Sequence, residues 1–234
     1  MIGRPDETNM TESFSTSERE AIYRVIESRR DVRAFRPDAV PDEMLGRILL
    51  AAHHAPSVGF MQPWDFVVIR DPRTRARVKA VMLRENEAAA AHFTGERRAL
   101  YDSLKLEGIE EAPVNLCVTC DRTRAGPHVL GRNTIIDTDL YSTCCAVQNL
   151  WLAARAEGLG VGWVSILEVE DLRQIIGIPD HVVPVAYLCI GYAREFLREP
   201  ELQRQGWARR ASLDSLVHQE QWASEEPRHR RLGE

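Results

Sequence analysis

Five consecutive residues, Arg29-Arg30-Asp31-Val32-Arg33, set three guanidiniums around one carboxylate. Arginine offers a planar fork of donors that matches phosphate oxygens two at a time. A phosphate monoester carries roughly −1.5 to −2 charges near neutral pH, so two or three arginines suit it. The same cations should hold the Asp31 carboxyl ionised, because nearby positive charge lowers a carboxyl pKa. On charge alone a solvated helix end is the better account, since arginines are favoured near the negative pole of a helix. A second stretch, Ala55-Pro56-Ser57-Val58-Gly59-Phe60-Met61-Gln62-Pro63-Trp64, supplies a hydroxyl, an amide and a glycine permitting close backbone approach. Two prolines and a glycine are also what an ordinary tight connector uses. His53 and His54 just before it read as a surface pair or a cap, with no partner at metal-ligand spacing.

The elements that must hold these residues follow from pattern. Ser17-Glu18-Arg19-Glu20 reads as a capping box that starts a first helix, with Ile22, Val25 and Ile26 on its apolar side. That helix delivers the arginine cluster at its end. Pro41-Asp42-Glu43 opens a second helix, stopped by Pro56, and Phe66 to Ile69 is a strand. Residues 72–111 read as a long helical excursion of the kind that covers a site rather than building a core. A strand from Val114 to Thr119, a loop over 121–136 and a buried helix from Asp139 to Ala156 come next. Val161 to Ile166 is a strand, Val169 to Ile176 a helix, and Val182 to Ile190 an apolar strand. Pro184 within that last strand calls for an edge position or a bulge. Beyond Tyr192 the chain is charged and irregular, too polar to make its own core.

Composition limits the partners. The net charge of −5 argues against coating nucleic acid or an anionic membrane. With 44% hydrophobic residues the 234-residue chain can bury a sizeable core. No run reaches the ~20 apolar residues of a membrane span, and the first residues lack a signal peptide's apolar stretch, so a soluble cytoplasmic protein is expected. Cys117 and Cys120 mimic a CxxC, but in a strand residues three apart point to opposite faces. With Cys144 and Cys145 in a helix and Cys189 in a strand, all five read as reduced core cysteines, and no metal is expected. Neither GxGxxG nor GxxxxGK[ST] is present, which leaves arginine side chains as the route to phosphate.

Taken together, Arg29 to Arg33, Ala55-Pro56-Ser57 with Gln62-Pro63-Trp64, and Gly160-Val161-Gly162-Trp163-Val164-Ser165 resemble the flavin-dependent nitroreductase family. His54 to Trp64, Ser103-Leu104-Lys105-Leu106-Glu107-Gly108 and Asp139-Leu140-Tyr141-Ser142-Thr143 resemble one branch of it, the 5,6-dimethylbenzimidazole synthases. The resemblance spans about residues 17–222. It implies an α+β fold, with a central, mainly antiparallel sheet flanked by helices. It also implies a homodimer that exchanges C-terminal arms beginning near residue 193. Residues 1–14 would be a flexible N-terminus and 15–234 a single FMN domain.

The activity implied is the cleavage of reduced FMN with molecular oxygen. Its products would be 5,6-dimethylbenzimidazole, the lower ligand of vitamin B12, and erythrose 4-phosphate. By the same resemblance Asp31 would move protons and Ser165 would hydrogen-bond the flavin. Arg29, Arg30, Val32, Arg33, Ser57, Gly59, Ile166 and Arg210 would contact FMN, the Gly59 N–H would orient oxygen, and Leu106 would belong to a lid. The arginines and desolvation by the lid would push the Asp31 pKa in opposite directions. A separate flavin reductase would supply the reduced flavin. Two other readings share the residues: an NAD(P)H-dependent FMN nitroreductase, and a non-catalytic FMN-binding protein.

Overall fold

The computed structural model describes residues 13–222. The expected loose N-terminus therefore lies outside the described residues except for Ser13 and Phe14, as does the end of the arm beyond 222. Among the described residues the sheet has four strands: β1 (Trp64–Ile69), β2 (Val114–Asp121), β3 (Gly160–Val164) and β4 (Val182–Gly191). Their order is β1-β2-β4-β3, and every pair is antiparallel. The α+β expectation holds.

Both inner strands are buried on both faces, which is why they read as unbroken apolar runs rather than alternating ones. On one face Leu116, Val118, Leu188 and Ile190 pack against α2 (Asp42–His53) and α5 (Thr138–Ala156). On the other, Cys117, Tyr187 and Cys189 pack with Val78 and Met82 of α3 (Pro72–Ala90) and Leu172 of α6 (Val169–Ile176). Cys117 thus faces away from Leu116 and Val118, as strand geometry requires. Burial pushes the Cys117 and Cys189 thiols up to about 12, so both stay protonated.

Several expectations need correction. The capping box belongs to Ser15 and Glu18, not Ser17 and Glu20, and α1 (Thr16–Ser28) begins two residues earlier. Serines at both positions with a glutamate three residues on made the two boxes equivalent in sequence. The 72–111 excursion is not one cover: α3 builds core, α4 (Gly95–Ser103) is separate, and 104–113 is irregular. The helical path is broken over 91–94, where Thr94 is extended, and Gly95 enters α4 with a left-handed φ of 56°. Cys144 and Cys145 are exposed on α5, because its buried stripe runs through Ser142, Thr143, Ala146 and Val147. β4 is an inner strand, so Pro184 takes the bulge: the β2 register slips between Val118–Ala186 and Thr119–Pro184. β3 ends at Val164, leaving Ser165 and Ile166 just past the strand.

The arm starts by pairing with its own chain. Ala193 bridges Phe35, and the Arg194 N–H donates to the Ala34 carbonyl at 3.0 Å. Further on, Leu213, Leu216 and Trp222 are exposed, Trp222 by 83%. α1 likewise buries none of its residues, leaving Ile22 and Ile26 half uncovered.

Candidate active site

α1 ends where Arg29 leaves helical geometry, its N–H still bonded to the Val25 carbonyl at 3.0 Å. Two α5 side chains receive that end. Arg155 Nε donates to the Ser28 carbonyl at 3.3 Å, and Trp151 Nε1 donates to the Arg30 carbonyl at 3.2 Å. The chain then lies along the outer edge of β3 as a short parallel addition. Asp31 bridges Val161, and the Val32 N–H donates to the Val161 carbonyl at 2.9 Å. Such close approach needs Gly162, since a Cβ there would stand 2.0 Å from the Val32 carbonyl oxygen.

Asp31 takes the next place in the ladder with its side chain. Its Oδ1 accepts the Trp163 N–H at 2.9 Å, and its Oδ2 accepts from the Arg33 guanidinium. The carboxylate keeps 32% of its side-chain surface, while Arg33 keeps 11%. Burial raises the Asp31 pKa above the ordinary carboxyl value; Arg33, the Trp163 N–H and Arg29 oppose that shift without cancelling it. The sequence set the arginines against desolvation without deciding between them. Desolvation wins.

The arginines divide into different tasks. Arg29 lies with its guanidinium carbon 4.8 Å from the Trp151 ring centre and lines a cavity of about 810 Å³. Arg30 lines it too, but donates to the carbonyls of Glu27 at 2.6 Å and Arg29 at 2.7 Å, and to that of Arg198. Burial, then Arg29, Arg210 and Arg155, lower its pKa. Arg30 Nε and Arg33 Nε are buried donors without a partner. The C-terminal arm completes the cavity with Arg198, Arg209 and Arg210, so five arginines face two glutamates, Glu27 and Glu199. Arg198 and Arg209 escaped sequence reasoning; the Arg209-Arg210 doublet was the available signal.

Toward the other end of β3, Ser165 is exposed and lines a smaller cavity of about 200 Å³ with Trp163, Leu172 and Tyr187. Ile166 and Leu106 are partly buried against the α3/α6 core, and Val32 turns its side chain into it. The segment carrying Leu106 runs beside the arginine cluster. A Cβ on Gly108 would come within 2.9 Å of the Arg33 carbonyl oxygen, and Glu111 accepts the Phe35 N–H at 3.3 Å.

Ser57 and Gly59 lie elsewhere. Their loop enters β1 at the opposite edge of the sheet, three strand spacings or roughly 14 Å from β3. Within that loop Gly59, Phe60 and Gln62 have φ of 60°, 53° and 47°. Left-handed conformations at Phe60 and Gln62 cost about 1 kcal/mol or more each and persist only where surroundings enforce them. The enforcing contacts are visible: Gln62 N–H donates to Ser57 Oγ at 3.1 Å, and Val58 N–H to Ser142 Oγ at 3.2 Å. Leu130 covers Gly59 so closely that a Cβ would sit 2.7 Å from its carbonyl oxygen. Asp139, with no exposed side-chain surface, anchors the covering loop through Arg122 at 3.0 Å and Arg132 at 2.5 Å. Within one chain, then, the paired Asp31 and Arg33 directly follow Arg29 and Arg30 of the arginine cavity, and the Ser57 loop stays apart.

An antiparallel sheet layered between helices is a fold shared with known proteins. Residues 26–192 match the model of the Nitroreductase family, and the chain belongs to that family. It is 45% identical over 197 residues to a 5,6-dimethylbenzimidazole synthase of Rhodospirillum rubrum, covering 84% of this chain and 93% of the relative. A protein of the same name from Rhodobacter capsulatus is 39% identical, with 83% and 94% covered. In fold the chain is similar to an oxidised iodotyrosine deiodinase solved with FMN and 3-iodo-L-tyrosine. That match has a TM-score of 0.64 and 23% identity, over 75% of this chain and 91% of the other.

Proposed function

We propose that this chain is an oxidoreductase that cleaves reduced FMN with molecular oxygen, releasing 5,6-dimethylbenzimidazole, erythrose 4-phosphate and the oxidised pyrimidine part of the flavin. The relatives named 5,6-dimethylbenzimidazole synthase support the choice of product. Asp31 carries the assignment of chemistry. A carboxylate with a raised pKa, fixed by a backbone N–H and an arginine beside an arginine-lined cavity, suits proton transfer better than ligand holding.

The residues fit FMN. Its phosphate dianion matches a cavity where arginines outnumber glutamates and where one lining arginine, Arg30, has a buried Nε without a partner. Arg29, Arg209 and Arg210 would hold the phosphate, with Arg30 fixing the arm through its carbonyl bonds. Reduced flavin supplies the electrons that oxygen accepts. Asp31 would hold or release a proton at the flavin, Arg33 and the Trp163 N–H would keep its carboxylate oriented, and Ser165 would add a hydroxyl at the ring. Leu106 and its segment would exclude water.

We place the working site between two copies of the chain. Asp31 and the Ser57–Gly59 loop occupy opposite sheet edges, so one flavin meets both only if the loop comes from a partner subunit. The uncovered apolar faces of α1 and of the arm past Leu213 support such a dimer. The enzyme would act in the cytoplasm, supplied with reduced FMN by a separate flavin reductase.

The test is an aerobic incubation with reduced FMN, followed by mass spectrometry. Appearance of 5,6-dimethylbenzimidazole as total flavin falls is the expected result. Complete recovery of reoxidised FMN would overturn it in favour of a nicotinamide-dependent reductase or a simple flavin binder.

A further inference from the structure

One short piece of the arm runs from the arginine cavity to α4. α7 (Glu201–Arg204) is followed by Gly206 at φ 77°, and the turn closes with Trp207 N–H on the Leu202 carbonyl at 2.8 Å. The Arg210 N–H reaches Gln203 Oε1 at 3.4 Å. Gln203, Arg209 and Arg210 line the arginine cavity. Trp207, in the same turn, seats instead on α4 and the residues leading into it. Its ring lies 5.3 Å from Phe93 and 6.0 Å from Tyr101. The Arg97 guanidinium carbon stands 3.4 Å from its ring centre, and both Arg97 Nη atoms donate to the Trp207 carbonyl, at 3.1 and 3.2 Å. Ring and backbone of Trp207 are thus both fixed to α4. Directly after α4 come Leu106 and Gly108, the segment packed on Arg33 and Phe35.

We infer that Trp207 and Arg97 are positioning residues that link occupancy of the arginine cavity by a phosphate group to the ordering of α4 and of the Leu106 segment beside Arg33, the ion-pair partner of Asp31. The inference rests on the phosphate reading of that cavity given above. An anion held by Arg209 and Arg210 fixes the turn in which Trp207 sits, and a fixed Trp207 holds α4 through its ring and carbonyl. Linkage makes the effect reciprocal: whatever orders α4 must tighten phosphate binding by the same factor. The phosphoryl end of the substrate would thereby place the cover over its reacting end.

Amide hydrogen exchange over residues 95–109 tests this in the full chain, for wild type, Trp207→Ala and Arg97→Ala, with and without inorganic phosphate. Phosphate binding is followed separately by calorimetry. In wild type, phosphate should slow exchange over that segment by about ten-fold, in line with a local opening closed by one desolvated cation–π contact and its hydrogen bonds. In both variants phosphate should still bind while the slowing is lost. If the variants bind phosphate and slow as wild type does, the link through Trp207 is wrong and the phosphate cavity stands. Failure of wild type to bind phosphate would overturn both.

Discussion

Gly162 contributes no functional group, yet its replacement by alanine should disable the site. The added Cβ would stand 2.0 Å from the Val32 carbonyl oxygen, a backbone atom that no rotamer change can move. The 31–33 segment must therefore shift off β3 by more than an ångström. That shift breaks the Val32 N–H bond to Val161 and the Trp163 N–H bond to the Asp31 carboxylate, each 2.9 Å long. Their loss costs about 1 and about 2 kcal/mol respectively, the second being charge-assisted. About 3 kcal/mol lowers the melting temperature of a chain this size by about 6–12 °C. Gly160→Ala offers the control: there the nearest atoms, at 2.8 to 3.0 Å, all belong to the Val32 side chain, so a smaller loss is expected. Thermal unfolding of both variants, with product formation assayed below the lower melting point, reads the two effects. If Gly162→Ala melts within about 2 °C of wild type and forms product normally, Asp31 is not held against β3 as described.

Asp31→Asn should retain FMN within about ten-fold but form product about 10²–10⁴-fold more slowly, measured by flavin titration and single-turnover analysis. The same substitution tests the pKa. Because burial raises the carboxyl in the folded chain above its ordinary 3.8, the folded state binds that proton more readily than the unfolded state. Wild type should therefore gain stability over Asp31→Asn as pH falls from the folded value toward 3.8, and carry the full penalty of the ionised carboxylate above that window. Denaturant midpoints across that range would show it. Arg210→Ala should weaken FMN by about 10-fold or more and leave riboflavin binding unchanged, since a charge-assisted contact to phosphate is lost. Asp139→Ala should destabilise the fold by about 3 kcal/mol, by leaving Arg122 and Arg132 without their shared carboxylate, and should loosen the cover on Gly59.

Most of the framework was legible because helices and buried strands announce themselves through periodicity: α6 begins and ends where its pattern does, and β4 is the most apolar run in the chain. The misjudged positions are those fixed by tertiary contact. Nothing local separates Ser15 from Ser17 as a cap. Pro184 signalled an irregularity, but only pairing with β2 decides that it bulges an inner strand. At the site, arginines and a carboxylate within five residues identified the cluster, whereas the sign of the Asp31 shift depends on burial beneath segments far away in sequence. Arg198 belongs to the cavity because Arg30 holds its carbonyl across 168 residues, a contact without a local signature.

The separation of Asp31 from the Ser57 loop by the full width of the sheet makes a genetic-style experiment possible with purified chains. One preparation would carry Asp31→Asn and the other Gly59→Val, a substitution barred by the Leu130 carbonyl oxygen 2.7 Å from its Cβ. In the dimer proposed above, each alone would have two broken centres. Reassorted at random, half of all dimers become mixed, and each mixed dimer concentrates both lesions in one centre and leaves the other whole. About a quarter of wild-type activity should then emerge from two inactive proteins. No recovery at all would mean that both residues serve a centre made by a single chain.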